Sequence, residues 1–352
     1  MKTSRTRQTA MLVAFLVGIS AGAVGGENWR RLMTEGKLDA DLGKHDEASA
    51  SFRAIAEDEG APPSLRGEAL VRLGLARSAA GDPEAGAEAF RTVLGDYAGD
   101  PEAMHFLTRV VASGVPGKIW VDLKERFEEL LRTARVVSVE ELGPGMMSRK
   151  VELRQDGVEL SAVWRHFSAA KGGDSYIYEA AAYEIDKMLG LDMVPPTVVR
   201  TLEDEDGTLQ LWVYGCRAVN PSASEHPPRP AEWRRQSYRM NAFDYLIANR
   251  DRNRGNILVD PKWEIVLVDH TRAFSSDPAV ISQDRGEPPE LPDRFDRQLV
   301  ERLRGLGPSE FQTRMKGLLT EVEANVFLAR REELLAHVEK LLAEKGEEAV
   351  LF

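Results

Sequence analysis

Asn249-Arg250-Asp251-Arg252-Asn253-Arg254-Gly255-Asn256-Ile257-Leu258-Val259, followed after a Pro261-Lys262 turn by Ile265-Val266-Leu267-Val268-Asp269, decides how this chain is read. Upstream, Trp233, Met240, Phe243 and Ile247 fall on one face of a helix, so Asp251 follows a helix end held by burial. The two apolar runs around the turn spell a β-hairpin, which sets Asn256 beside Asp269 at one end of the ladder. Phosphoryl transfer uses such a set. One carboxylate orients the acceptor hydroxyl, while an amide oxygen and a second carboxylate hold the divalent ions that bridge the nucleotide phosphates. Taken alone, Asp251 to Asn256 equally fits an Asx-rich turn with no chemistry; Asp269 on the return strand favours the chemical reading.

Working outward, the chain turns to strands from about Val136. Val151 and Leu153 alternate with polar neighbours, Asp156-Gly157 is a hairpin signal, and Val158, Leu160, Ala162 and Trp164 continue with period two. A helix is expected from Tyr176 to Leu189, with Ile177, Ala181, Ile185 and Met188 at helical spacing. Two more strands, Thr197 to Thr201 and Thr208 to Val213, are expected on either side of an Asp206-Gly207 turn. Asn220 to Pro230 is rich in Pro and Ser and reads as a connector. Beyond it the pattern is helical except for the hairpin after Asn256.

Asp251-Arg252-Asn253-x-x-Asn256, the apolar strand after it and Val268-Asp269-His270 resemble the catalytic and metal loops of atypical kinases. That superfamily holds the phosphatidylinositol 3-/4-kinases and the HipA-like kinases, and the resemblance is strongest to secretory-pathway kinases of the four-jointed and Golgi casein kinase type. It covers roughly Val136 to Leu342. It implies ATP and Mg or Mn as cofactors, Asp251 as the catalytic carboxylate, and Asn256 and Asp269 as metal ligands. Glu141-Leu142-Gly143-Pro144-Gly145 resembles the turn over the phosphates, which assigns Gly143 and Gly145 to the nucleotide. Glu179 matches the helix glutamate that braces the phosphate-binding lysine, although helical spacing puts Glu184 nearer the apolar stripe. One departure stands out: Arg165 occupies the position where the family has lysine. A guanidinium clasps phosphate in a planar fork and is not equivalent to an ammonium.

Between Glu27 and about Gly114 the sequence is Ala-rich, and Leu32, Gly36, Gly43, Ala48 and Phe52 recur as Leu70, Gly74, Gly81, Gly86 and Phe90. This spacing resembles the tetratricopeptide repeat, with a longer period than its ~34 residues. A third helix, Pro101 to Ser113, is expected to close the stack, because a repeat cannot bury its own apolar face. The resemblance implies a groove for a protein or peptide partner. At the start, Lys2, Arg5 and Arg7 precede an apolar run from Ala10 to Val24, a signal-peptide pattern about 15 residues long, shorter than a bilayer span. The expected location is therefore extracytoplasmic, in a periplasm, secretory lumen or secreted, with membrane contact only if the segment is retained as an anchor.

The balance of 46 Lys and Arg against 57 Asp and Glu gives a net charge of −11, which argues against nucleic acid as a partner. Cys216 is the only cysteine, which excludes an intrachain disulfide and a thiolate zinc site. The expected fold class is α+β. A two-lobed kinase-like domain, with a strand-rich N-lobe over 136–219, a connector at 220–230 and a helical C-lobe over 231–345, follows an all-α helical-hairpin domain over 27–115 and the segment 1–24. The expected activity is transfer of the γ-phosphate of ATP to a hydroxyl of a protein. The alternatives are a pseudokinase scaffold silenced by Arg165, and an AMP transferase.

Overall fold

A computed structural model describes residues 26–112, 118–143, 148–167, 175–219, 226–274 and 291–352. The N-terminal segment 1–24 and Gly145 lie outside these residues. The chain divides into two units, Met1–Val111 and Ala112–Phe352.

In the first unit, α1 (26–41), α2 (His45–Ala56), α3 (Pro63–Ala79) and α4 (Pro83–Asp96) form two antiparallel hairpins, followed by α5 (Pro101–Ala112). The sequence repeat has a contact behind it. A Cβ on Gly36 would lie 2.7 Å from the Phe52 ring, and a Cβ on Gly74 would lie 2.6 Å from the Phe90 ring. In both hairpins the missing side chain therefore lets an aromatic from the second helix close on the first. α5 packs on α3 in the same way, with Ala103 filling the space over Gly67. Asp82 caps α4 by accepting the Ala85 N–H.

The second unit begins with a 3₁₀ turn (Lys118–Leu123) and α6 (Lys124–Thr133). Strands β1 (Arg135–Glu141), β2 (Arg149–Gln155), β3 (Val158–Arg165), β4 (Thr197–Leu202) and β5 (Glu205–Leu211) form an antiparallel sheet in the order β1-β2-β3-β5-β4, with α7 (Ile177–Leu189) inserted between β3 and β4. The Asp156-Gly157 hairpin forms with both residues at positive φ, as its sequence demands. The β4–β5 turn differs from expectation: it is made by Glu203 and Asp204, at φ 52° and 65°, and β5 starts at Glu205. Gly207 lies within the strand because a Cβ there would meet Trp164 Nε1 at 2.4 Å and the Arg165 carbonyl at 2.6 Å.

Alternation along the strands gives the sheet two unlike faces. Val151, Leu153, Leu160, Ala162, Trp164, Val198 and Leu209 are buried on one. Helix α6 covers that face, packing on β2, β4 and β5, and the Arg200 guanidinium of β4 donates to the Leu131 carbonyl of α6 (2.9 Å). The opposite face carries Arg165, Val163, Ser161, Lys150, Glu152, Thr208 and Gln210.

The helical half contains α8 (Pro230–Leu246), α9 (Arg297–Gly305), α10 (Pro308–Arg314), α11 (Glu321–Lys345) and α12 (Glu347–Val350). A second sheet of β6 (Arg217–Ala218), β7 (Ile257–Val259) and β8 (Ile265–Leu267) pairs the hairpin with the chain leaving the first sheet. Ala181, Ile185 and Leu189 of α7 share one core with Phe243, Ile247, Leu267, Leu299 and Phe327. A polar relay reinforces this: the Asp186 carboxylate accepts the Met193 N–H (3.0 Å), and the Met193 carbonyl accepts the Leu267 N–H (2.8 Å). α7 is thus fixed to the hairpin rather than only to the sheet beside it.

Candidate active site

Asp251 sits in the loop that α8 feeds, and the loop is held from beneath by Asp244 on the last turn of that helix. Asp244 is 2% exposed. Its carboxylate accepts Arg252 Nε and Nη2, both at 2.9 Å, and Asn249 Nδ2 at 3.0 Å. The third nitrogen of the fork, Arg252 Nη1, donates to the carbonyls of Asn256 (2.9 Å) and Val268 (3.0 Å). One guanidinium therefore ties together the helix end, the residue just before β7, and the residue just before Asp269. An arginine can do this because its donors form a rigid planar fork.

The expected juxtaposition is present. Asn256 Nδ2 donates to the Asp251 carbonyl (2.9 Å), which leaves Oδ1 as the atom available to a cation. The Val268 N–H donates to the Asn256 carbonyl (3.2 Å), so Asn256 and Asp269 lie at the same end of the hairpin. β8 ends at Leu267 rather than at Asp269, which takes a left-handed conformation at φ 60° and accepts the Thr271 hydroxyl at Oδ1 (3.0 Å). The Asp251 carboxylate is part-exposed, 3.8 Å from the Arg272 guanidinium. Among the described residues no cluster of three or more His, Cys, Asp or Glu side chains is arranged to hold a metal ion. Asn256 and Asp269 supply two hard oxygens, which suit Mg or Mn, an ion that fills its remaining positions from phosphate and water.

Glu179 joins this loop to the sheet. It is fully buried on the first turn of α7. Oε1 lies 3.4 Å from Arg165 Nε and accepts the His270 N–H (2.9 Å), and Oε2 lies 3.1 Å from His270 Nδ1. Gln210 stands beside the pair, 3.5 Å from each partner. Burial pushes the Glu179 carboxyl up, but Arg165 and His270 outweigh it and hold it at about 2. Glu184, the other acid that helical spacing allowed, faces Lys187 and Arg314 near the surface. Gly143 follows β1 in a bend. The structure thus brings Arg165, Glu179, Asn256, Asp251 and Asp269 into one connected cluster. Sequence reasoning missed Asp244, Gln210 and the role of Arg252, whose pairings run between segments and leave no periodic signal.

An antiparallel sheet bearing an inserted helix, a buried ion pair from strand to helix, and a helical lobe whose hairpin presents an acid and an amide define a kinase-like α+β fold. No family model matches the chain, and no curated protein matches its sequence. Solved structures do. The structure of hydra Fam20 with sugar matches at TM-score 0.50 and 14% identity, over 70% of this chain and 97% of that one. The Golgi casein kinase with Mn/ADP bound matches at 0.48 and 14%, over 74% and 85%. The Helicobacter pylori proinflammatory kinase CtkA gives 0.41 and 13%, over 62% and 97%. At 14% identity the likeness to hydra Fam20 is one of fold.

Proposed function

We propose that this chain is an atypical kinase that binds ATP with Mg or Mn and transfers its γ-phosphate to a hydroxyl, on a protein in preference to a sugar or lipid. The observation that carries the reading is the continuous link from Arg165 through Glu179 to His270, the neighbour of Asp269. In this reading the link joins the cation that meets the phosphates to the carboxylate that meets the metal. Asp251 then orients the acceptor hydroxyl and receives its proton as the oxygen attacks γ-phosphorus, and the bond to the bridging oxygen breaks to release the diphosphate. Asn256 and Asp269 hold the ions that neutralise the charge. In this reading Gly143, in the bend after β1, belongs to the turn over the phosphates. Among the described residues no helix is long and apolar enough to cross a membrane; the extracytoplasmic location rests on the sequence of residues 1–24. In the first unit, a cavity of about 370 Å³ lined by Lys37, Asp41, His45, Phe52, Arg72 and Leu75 is the place for a peptide partner.

A second reading has an observation of its own. The Arg165 side chain is only 8% exposed and stands where the resemblance has lysine, which favours a scaffold without turnover. Only the first reading requires nucleotide binding. Thermal unfolding of the full chain with Mn²⁺ and ATP is expected to show stabilisation of about 2.7 kcal/mol at a hundredfold excess over Kd, and Asp269→Ala is expected to abolish it. No shift in the wild type with either Mg²⁺ or Mn²⁺ would remove the kinase reading and leave the scaffold.

A further inference from the structure

The face of the sheet that carries Arg165 continues away from it as a mostly polar run. Two residues back along β3 lies Val163, opposite Lys150 of β2 and Gln210 of β5; two further back lies Ser161, opposite Glu152. Since α6 covers the other side of the sheet, these side chains share a face with Arg165, which α7 covers around Thr208 and Gln210 and which is exposed at Lys150 and Glu152. The Lys150 ammonium bonds Glu152 (2.7 Å) and sits 5.5 Å above the ring of Trp212. The Ser161 hydroxyl is 2.8 Å from both Glu152 oxygens and 2.6 Å from Tyr214 Oη. Trp212 and Tyr214 belong to the segment that leaves β5, and the Trp212 N–H donates to the Ser161 carbonyl. Lys150 and Glu152 remain about a third exposed (31% and 35%), so the pair is fixed in place yet open to a ligand.

Four residues of extended strand separate Ser161 from Arg165, about 13 Å. A nucleotide whose phosphates lie at Arg165 and Asp269 and whose length runs along this face of β3 lays its base in the region of Lys150, Glu152 and Trp212. We infer that Lys150 and Glu152 are the residues that determine base specificity, reading the hydrogen-bonding edge of a purine beside the Trp212 ring. The carboxylate accepts only, and the ammonium donates only. Together they complement a base edge that offers an amino N–H next to a ring or carbonyl acceptor, and they discriminate against one lacking the amino group. This assignment rests on the kinase reading above, and goes beyond it by naming which residues select the base.

Equilibrium binding to the full chain in Mn²⁺, followed by tryptophan fluorescence, tests it with three probes: ATP, the purine riboside triphosphate that lacks the 6-amino group, and inorganic tripolyphosphate. The wild type is expected to bind the purine riboside compound at least tenfold more weakly than ATP, the effect of one unpaired hydrogen bond to a charged group. Glu152→Gln is expected to weaken ATP about tenfold while leaving tripolyphosphate unchanged, and Lys150→Met to do likewise. Equal affinity of the wild type for the two nucleotides, or ATP binding within twofold of wild type in both variants, overturns the assignment of Lys150 and Glu152 alone if tripolyphosphate still binds. Loss of tripolyphosphate and nucleotide binding together in the wild type overturns the kinase reading, and this inference with it.

Discussion

Glutamine in place of Arg252 is expected to be among the most damaging single substitutions in the second unit, although Arg252 touches neither nucleotide nor acceptor in our account. It strands the Asp244 carboxylate, 2% exposed, without its cation. Breaking a buried pair from one side costs about 3–5 kcal/mol. It also removes both donors to the Asn256 and Val268 carbonyls. Arg252→Lys separates the two effects. A lysine keeps a charge near Asp244 but cannot serve the helix end and two carbonyls at once. The lysine variant is expected to fold, to unfold at lower denaturant concentration than wild type, and to bind Mn²⁺ and ATP about 10–100-fold more weakly, as for loss of an outer support of a metal site. Wild-type nucleotide affinity in a folded Arg252→Lys protein would show that the fork does not set the position of Asn256 and Asp269 for nucleotide binding.

The second large effect belongs to Glu179. Glu179→Gln keeps the shape but leaves Arg165 buried with a neutral partner, and is expected to destabilise the protein by about 3 kcal/mol or more at neutral pH. The effect has a pH signature. The carboxyl is held at about 2 in the folded protein against an ordinary value of 4.5. Its contribution to stability is therefore complete above the ordinary value and is lost as pH falls toward the folded one. Denaturant unfolding of wild type and Glu179→Gln at pH 7 and pH 3 is expected to show the gap between them shrinking by roughly half or more. A gap that is the same at both pH values would mean that Glu179 is not held as a charged, paired carboxylate.

The separation between what was legible and what was not follows the range of the interaction. Asp156-Gly157 announced its hairpin because the turn needs positive φ at adjacent residues, a local requirement. The Gly36–Phe52 and Gly74–Phe90 contacts surfaced as a repeat because the same close approach occurs twice. The hairpin that sets Asn256 beside Asp269 was readable from two short apolar runs. By contrast, Gly207 looked like a turn residue, and only the Trp164 indole across the sheet explains its place in the strand. Helical spacing could not choose between Glu179 and Glu184, because a buried acid is defined by what faces it, here Arg165 and His270. Asp244 and Arg252 stand eight positions apart with no shared periodicity, so their pairing became visible only with the loop in place.

We propose that Asp251, Asn256 and Asp269 serve phosphoryl transfer. Phosphate incorporation by the full chain, with γ-labelled and α-labelled ATP run in parallel in Mg²⁺ and in Mn²⁺, tests it most directly. The expected result is label from the γ-position in protein for wild type, a fall of at least about a hundredfold in Asp251→Asn with nucleotide binding retained, and no incorporation from the α-position. Equal incorporation in wild type and Asp251→Asn, label arriving from the α-phosphate, or bound nucleotide with no transfer at all would contradict it.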